Sequence, residues 1–460
     1  MKINPYIFRF YDIRGVVNKD LNPDIVNLIG KAFGTYLIER GTKDVLVGRD
    51  ARASSEEYQS ALTKGLLATG CNVFNLGLTL SPLLYFARQH YKIDGGVMVT
   101  ASHNPADWNG FKLCHGLNAI VEGEIQKVKN ILISGKFKTG KGNMESLDVV
   151  PAYLNAVKER VKLKKKLKVV IDCGDTTPSA FIPKFLKELG CEVVKTHCDI
   201  DTSFPRGSLD PAKIGHYKDL ITAVKDNQAD LGVLFDGDGD RVGFVDEKGM
   251  VWLGDTILTL LIRDIIPKNP GRKVIVEVKD SEIVVEETKR LGGIPIFWKT
   301  GHALLDHKVF EEDAILCGEM SCHYWIRDDW YCFDDSVYAS ARILKIITNS
   351  GKNLSELVAE LPKYETTPEY RTDCPEEKKF ELVKELVEYF KPKCHKVVDV
   401  DGIRGYIEDG WFLIRASNTQ PLLAVRVEAK TKNGLEKIKK IIKEKLNQYP
   451  FLDFSWDKDY

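Results

Sequence analysis

Three aspartates separated by single glycines, Asp236, Asp238 and Asp240, lead into Arg241 and follow the apolar run LGVLF. Glycine allows a tight loop with unusual backbone angles. Three hard oxygen donors on one short loop, with room for a phosphate oxygen, suit Mg²⁺. An EF-hand calcium loop competes, because Glu247 falls at its last position, but Arg241 stands where that loop needs glycine and the flanks read as strands. A plain acidic turn also competes, although it has no need of regular alternation behind a buried strand. A second loop, TASHNP at 100–105, presents the hydroxyl of Ser102 beside His103 and Asn104. It suits a nucleophile or phosphoryl carrier; alone, it reads equally as an Asn-Pro turn. No GxSxG elbow surrounds Ser102, which speaks against an esterase. Lys112, after Asn109-Gly110-Phe111, is an ordinary solvated charge unless other charged groups meet it.

Further along, GEMSCH at 318–323 alternates Glu319 and Ser321 with apolar residues, so both can face one side. Such side chains bind sugar hydroxyls, and His323 has the titration range of a general acid or base. A polar turn with a structural histidine is the plainer reading. RASNTQP at 415–421 offers a guanidinium, two hydroxyls, an amide and turn N–H groups, a complete anion cradle, or else a simple β-turn. FRFYDIRG at 8–15 places Arg9 and Arg14 around Tyr11 and Asp12, and VGRDARASS at 47–55 places Arg49 and Arg52 after a strand; either is basic surface or part of a site. His302 lies in TGHALL.

Something must hold these loops, and a threefold pattern supplies it. Residues 44–76, 168–196 and 273–300 each open with a β-branched strand run. A polar loop and a helix-period stretch follow, a glycine (Gly70, Gly190 or Gly292) closes the helix, and a second strand run ends the unit. That is a βαβ signature. After each unit a further strand enters a polar loop: TASHNP, DGDGDR and GEMSCH in turn. The first two loops also lead into a strand. From about residue 364 the chain reads differently. A helix pattern covers 376–390, strand-like pieces lie at 396–400, 411–415 and 422–428, and a Lys-rich amphipathic helix covers 434–446. Segregated strands and helices suggest a smaller α+β domain. The expected organisation is α/β: three related α/β domains with mixed sheets and a smaller C-terminal α+β domain around a central cleft. The domains are expected at 1–150, 151–255, 256–364 and 365–460, carrying in order the Ser102, aspartate, Glu319 and Arg415 loops. The KLKKK run at 162–166 is a solvated linker face.

A chain of 460 residues is too long for one core. Lys+Arg and Asp+Glu both number 66, so no global field draws it to nucleic acid or an anionic membrane, and an anionic substrate needs local basic groups. The first residues lack the apolar region of a secretory signal and no apolar run is long enough to span a bilayer. Ten scattered cysteines without a CxxC pair point to reduced thiols and a cytoplasmic location.

In their order, one per domain, these loops resemble the α-D-phosphohexomutase superfamily, in particular its phosphomannomutase/phosphoglucomutase type. The resemblance runs from FRFYDIRG to RASNTQP and so covers essentially the whole chain. It implies reversible phosphoryl transfer between C1 and C6 of a hexose phosphate, mannose or glucose, through a phosphoserine and a hexose 1,6-bisphosphate. It implies Ser102 as the phosphorylated residue and Asp236, Asp238 and Asp240 as ligands of one Mg²⁺ per chain, a phosphoserine oxygen completing the site. Arg241 is implied to help hold the phosphoserine. Lys112 and His323 stand as general acid/base candidates, and Arg14 as a further catalytic residue on the wall of the cleft. Glu319 and Ser321 stand on sugar hydroxyls, Arg415, Ser417, Asn418 and Thr419 in the phosphate cradle, and Tyr11, Lys279 and His302 along the cleft. A hexose 1,6-bisphosphate is the implied activator and a hexose phosphate the partner, with neither nucleic acid nor membrane, for a monomer or small homo-oligomer. GEMS with RASNT resembles the mannose/glucose branch; the phosphoglucosamine branch carries GEQSGH and glycine at Asn418. Cys322 departs from the family's glycine. Phosphoglucosamine mutase, a metal-dependent phosphatase and a non-catalytic sugar-phosphate binder are the rival readings.

Overall fold

The computed structural model describes residues 3–116, 118–207, 209–417 and 420–456. Its first sheet runs Ile13–Val16, Trp108–His115, Gly95–Val99, Asp44–Arg49, Asn72–Leu78, Met144–Ser146. The inner strands Asp44–Arg49, Asn72–Leu78 and Gly95–Val99 are parallel, and Trp108–His115 returns antiparallel beside Gly95–Val99. The second sheet repeats this plan. Lys168–Asp172 pairs in parallel with Glu192–Thr196 and Leu231–Phe235, and Val242–Asp246 returns antiparallel. In the third, Lys273–Glu277 is parallel to Ile294–Trp298 and Leu316–Gly318, and Tyr324–Ile326 returns antiparallel. All three sheets are therefore mixed.

The functional loops occupy the same place in each sheet. TASHNP, DGDGDR and GEMSCH each join the last parallel strand to the antiparallel return strand. The strands before them, Gly95–Val99, Leu231–Phe235 and Leu316–Gly318, are buried along their length, which fixes where each loop starts. The third loop, like the first two, leads into a strand; YWI is too short a run to announce one. The glycines that close the repeat helices have left-handed backbones, Gly70 at φ 93°, Gly190 at φ 99° and Gly292 at φ 86°, which a side chain resists. In the second unit the helix is shortened to Ile182–Glu188 and preceded by a 3₁₀ turn, Thr177–Ala180, where Pro178 and Pro183 cut the hydrogen-bond ladder.

The fourth sheet is antiparallel, ordered Glu365–Thr366, Leu422–Ala429, Gly410–Ala416, Ile403–Ile407, Lys396–Val398, with Tyr370–Asp373 also on Leu422–Ala429. Helices Lys379–Phe390 and Lys432–Leu446 pack on its core face through Leu386, Phe390, Ile438 and Ile442. The first of these starts three residues later than its apolar pattern suggests, and the strand Ile403–Ile407 is an addition to the expected set. KLKKK is exposed at Lys162 and Lys164–Lys166. One apolar core runs from the first sheet through the second into the third, joining Leu84, Val169, Phe235, Leu258 and Val276. The domains are thus packed against each other rather than strung on linkers.

Candidate active site

Ser102 is buried, with a left-handed backbone at φ 51°. For a side chain other than glycine this costs about 1–2 kcal/mol. Its N–H donates to Thr100 Oγ1 at 2.8 Å, and the twist turns Oγ toward the second domain, where it donates to Asp236 Oδ2 at 3.1 Å. His103 Nδ1 lies 3.1 Å from the same Oγ. Arg14 donates to Asp12, to the carbonyl of Ala101 and to Asn104 Oδ1, at 2.7, 3.3 and 2.8 Å.

The aspartate loop is a tight turn. Gly239 has φ 69° and faces Leu80 of the first domain, where an added Cβ would come within 2.8 Å of Cδ2. Asp236, Asp238 and Asp240 are fully buried and bring one oxygen each to within 4.8 Å of the others. Lys112 Nζ reaches Asp238 Oδ2 at 2.6 Å and Asp240 Oδ2 at 2.5 Å, and Ser81 Oγ donates to Asp238 Oδ2 at 2.6 Å. Arg241 donates through Nη1 to Asp210 at 3.2 Å. Burial holds the Asp236 carboxyl well above the usual range, reinforced by Asp240 and Asp238. One side-chain oxygen, Asp238 Oδ1, makes no hydrogen bond among the described residues. Three buried aspartates thus converge their oxygens on one point, with Asp238 Oδ1 left as a spare acceptor. An oxygen-only donor set of this kind fits a hard divalent ion. The EF-hand alternative fails, since Glu247 turns away and accepts from Ser355 N at 3.4 Å.

In the third domain His323 is clamped by carboxylates: Nδ1 lies 2.8 Å from Glu319 Oε2, and Nε2 lies 3.4 Å from Asp240 Oδ1 and 3.8 Å from Asp334 Oδ2. Burial, and Arg241 with its Nε 3.3 Å from Nε2, work against its positive charge, but Asp240 and the hydrogen bonds to Asp240 and Glu319 outweigh them and push the pKa up to about 10. Lys112 is likewise driven well above its ordinary value, the desolvation being outweighed by Asp238 and Asp240. His302 goes the other way; burial, then His323 and Lys112, keep it neutral. Its ring stands 4.9 Å from that of Tyr11 and 5.6 Å from that of His323. Ser321 Oγ is 3.3 Å from His323 Nδ1.

The fourth domain closes the ring. Arg415 Nε donates to Asp401 Oδ2 at 2.9 Å, and that oxygen also accepts the N–H of Thr300 at 3.1 Å, next to Gly301, whose own N–H reaches Glu319 Oε1 at 3.2 Å. Ser417 Oγ accepts from Gln420 N at 3.1 Å. Lys279 Nζ sits 3.2 Å from Glu277 and 3.4 Å from Glu369. Asn418 and Thr419 lie outside the described residues.

One connected set of contacts therefore joins Tyr11, Arg14, Ser102, Lys112, the three aspartates, Arg241, His302, Glu319, Ser321 and His323. Lys279, Arg415 and Ser417 lie at its fourth-domain edge. Arg9 is exposed and takes no part. Asp334 and Asp401 are additions. Asp334 stands in FDDS and Asp401 in DVDG, where nothing in the residues themselves sets them apart from acidic turns. Of the two readings open for the basic residues behind the strand, Arg52 is buried and so is not basic surface.

Models of four domains match in sequence order: phosphoglucomutase/phosphomannomutase alpha/beta/alpha domain I at residues 5–139, domain II at 151–249, domain III at 253–364, and the C-terminal domain at 369–445. Phosphomannomutase/phosphoglucomutase of Pseudomonas aeruginosa is 37% identical over 440 residues, covering 96% of this chain and 95% of the relative. Phosphoglucomutase of Neisseria meningitidis serogroup A is 37% identical over 450 residues, covering 97% and 98%. A crystal structure of a phosphoglucomutase/phosphomannomutase family protein from Burkholderia thailandensis superposes with TM-score 0.92 at 36% identity, covering 97% of this chain and 98% of that one.

Proposed function

The chain belongs to the phosphoglucomutase/phosphomannomutase family, and on that premise we propose that Ser102 carries the phosphoryl group in the reaction this mutase catalyses. The reaction is reversible transfer of a phosphoryl group between C1 and C6 of a hexose phosphate. The observation that carries the assignment is Ser102 Oγ, 3.1 Å from Asp236 at the junction of two domains.

The carrier role follows from charge. A phosphoserine brings about −1.5 to −2 at neutral pH and a sugar phosphate brings as much again, so their approach needs positive charge at both ends. At one end stand Arg14, Lys112 and Arg241; at the other Arg415, held by Asp401, offers its remaining N–H groups to the phosphate that is not being transferred. The family is metal-dependent, and the buried triad has the donors for a metal. Asp236, Asp238 and Asp240 would hold Mg²⁺, which when bound would supply further neutralisation of the transferring group.

Glu319 and Ser321 accept and donate to sugar hydroxyls, which fixes the face presented to Ser102. His323 and Lys112, both held positive by the carboxylates around them, form the proposed acid/base pair: one gives its proton to Oγ as the P–Oγ bond breaks and, once neutral, takes up the proton that leaves the attacking sugar hydroxyl. The P–Oγ bond breaks as the sugar oxygen joins phosphorus, and Oγ regains a proton. The hexose 1,6-bisphosphate so formed turns end for end, and the reverse transfer restores the phosphoserine; added bisphosphate activates by the same route. Mannose and glucose phosphates are the proposed substrates, supported by the GEMS and RASNT loops. No helix among the described residues is long and apolar enough to cross a membrane; a cytoplasmic enzyme, a monomer or small homo-oligomer, belongs to the same proposal.

Steady-state conversion of mannose 1-phosphate and glucose 1-phosphate, with Mg²⁺ and a trace of glucose 1,6-bisphosphate, tests this reading. Both sugars are expected to turn over, activity is lost to a chelator and restored by Mg²⁺, and Ser102→Ala lowers kcat by at least about 10⁴-fold. Turnover that survives Ser102→Ala would remove serine from the carrier role. Conversion of glucosamine 1-phosphate alone would reassign the sugar.

A further inference from the structure

Arg52 packs against the Ser102 loop and is 2% exposed. Its guanidinium is committed to backbone. Nη2 donates to the carbonyls of Ser102 at 2.8 Å and Asn104 at 2.7 Å, and Nη1 to those of Pro105 at 2.6 Å and Trp108 at 3.0 Å. Nε donates to Asp50 Oδ2 at 3.1 Å, and Asp50 is itself fixed by Ser55 Oγ at 2.5 Å and by the N–H of Arg52 at 3.0 Å. The second domain braces this turn. Thr177 Oγ1 accepts the N–H of Ala51 at 3.0 Å, and the ring of Phe204 lies 4.9 Å from the guanidinium. A planar fork on four carbonyls sets direction as well as place, and a lysine, with one nitrogen, cannot span them. The residue so gripped is the one in the left-handed conformation that serine alone disfavours.

We propose that Arg52 is a positioning residue that holds the Ser102 loop in the conformation aiming Oγ at the aspartate loop, and thereby directs the phosphoryl group to the sugar rather than to water. The inference rests on the carrier role of Ser102 given above. In transfer, the P–Oγ bond breaks as a sugar oxygen bonds phosphorus. In loss, a water oxygen bonds phosphorus instead, one water proton passes to Oγ, and the products are the serine hydroxyl and inorganic phosphate. The sugar is held by the Arg415 cradle and the Glu319 loop and cannot follow a carrier that strays. Water can approach from any direction. Misalignment therefore slows transfer more than it slows loss.

Arg52→Lys and Arg52→Met in the full chain, with Mg²⁺, test this through three readouts: kcat and KM for glucose 1-phosphate, inorganic phosphate released per turnover from enzyme phosphorylated at Ser102, and the thermal midpoint. Expected are a fall in kcat of about 100-fold, KM within about threefold, and roughly tenfold more phosphate released per turnover. Lysine should restore little of the loss. Phosphate release per turnover unchanged in folded variants, with kcat lost only in proportion to unfolded protein, would overturn the proposal. Should both variants fail to fold, Asp50→Asn slackens the Nε anchor while keeping the carbonyl contacts; a raised release ratio there supports the proposal and a wild-type ratio overturns it. Wild-type protein that is never phosphorylated at Ser102 would instead overturn the carrier role, and is seen before any variant is made.

Discussion

Cys322 stands where the family pattern has glycine, and its backbone keeps the conformation glycine would choose, φ 73°. Its thiol is fully buried, 3.7 Å from the carbonyls of Pro211 and Met320, and its own carbonyl accepts Val242 N–H at 3.2 Å, tying the Glu319 loop to the strand behind the aspartates. Left-handed strain of about 1–2 kcal/mol thus opposes the packing of a CH₂–SH worth about 1 kcal/mol or a little more. Cys322→Gly should leave the thermal midpoint within about 3 °C of wild type, because the two effects nearly cancel. Cys322→Val should lower it by more, since a β-branched residue fits this backbone poorly. A valine variant as stable as the glycine one would refute the strain argument. That glycine's backbone is retained was not readable from the residue, because a cysteine in a polar loop carries no sign of its φ.

At the scale of the element, the repeats were legible for a local reason: β-branched strand runs and helix-closing glycines each act within a few residues. The strand Ile403–Ile407 escaped because Arg404 and Gly405 interrupt its pattern, and both have long-range causes. Arg404 is fully buried and donates to the carbonyls of Val278 and Asp280 in the third domain, at 2.9 and 2.6 Å. An added Cβ on Gly405 would come within 2.6 Å of Cys394 Sγ and of Phe412. The four carbonyls gripped by Arg52 were hidden in the same way, since only the fold brings residues 102–108 against residue 52. Helix Ser336–Ser350 provides a test at this scale. Its N-cap Asp335 accepts from Tyr338 N–H and Trp330 Nε1, both at 2.9 Å, and from Tyr153 OH, and burial pushes its pKa up to about 6. A carboxyl raised in the fold favours the folded state fully below its unfolded value of about 3.9 and loses that contribution as pH rises through the folded value. The thermal midpoint of wild type, relative to Asp335→Asn, should therefore fall between pH 4 and pH 6. A constant difference across that range would show the carboxyl to be ionised throughout.

At the scale of the whole molecule, the fourth domain meets the third through buried charge rather than apolar surface alone. Asp401 is the smallest such joint, since one oxygen holds both Thr300 N–H and the guanidinium of Arg415. Asp401→Asn should raise KM for hexose phosphates about tenfold, equivalent to about 1.4 kcal/mol, with a smaller change in kcat, because Arg415 would lose its orientation while the Ser102 side stays intact. An unchanged KM would separate Arg415 from substrate binding. The recurrence of one junction in all three sheets has a further consequence. Each reactive loop closes a turn between neighbouring antiparallel strands, so its length is free of the distance any crossover must span. Three units of one plan can therefore differ chiefly at their tips. On the roles proposed above, one tip carries the phosphoryl group, one holds the cation and one reads the sugar, so a change of chemistry at one tip leaves the strands beneath it in place.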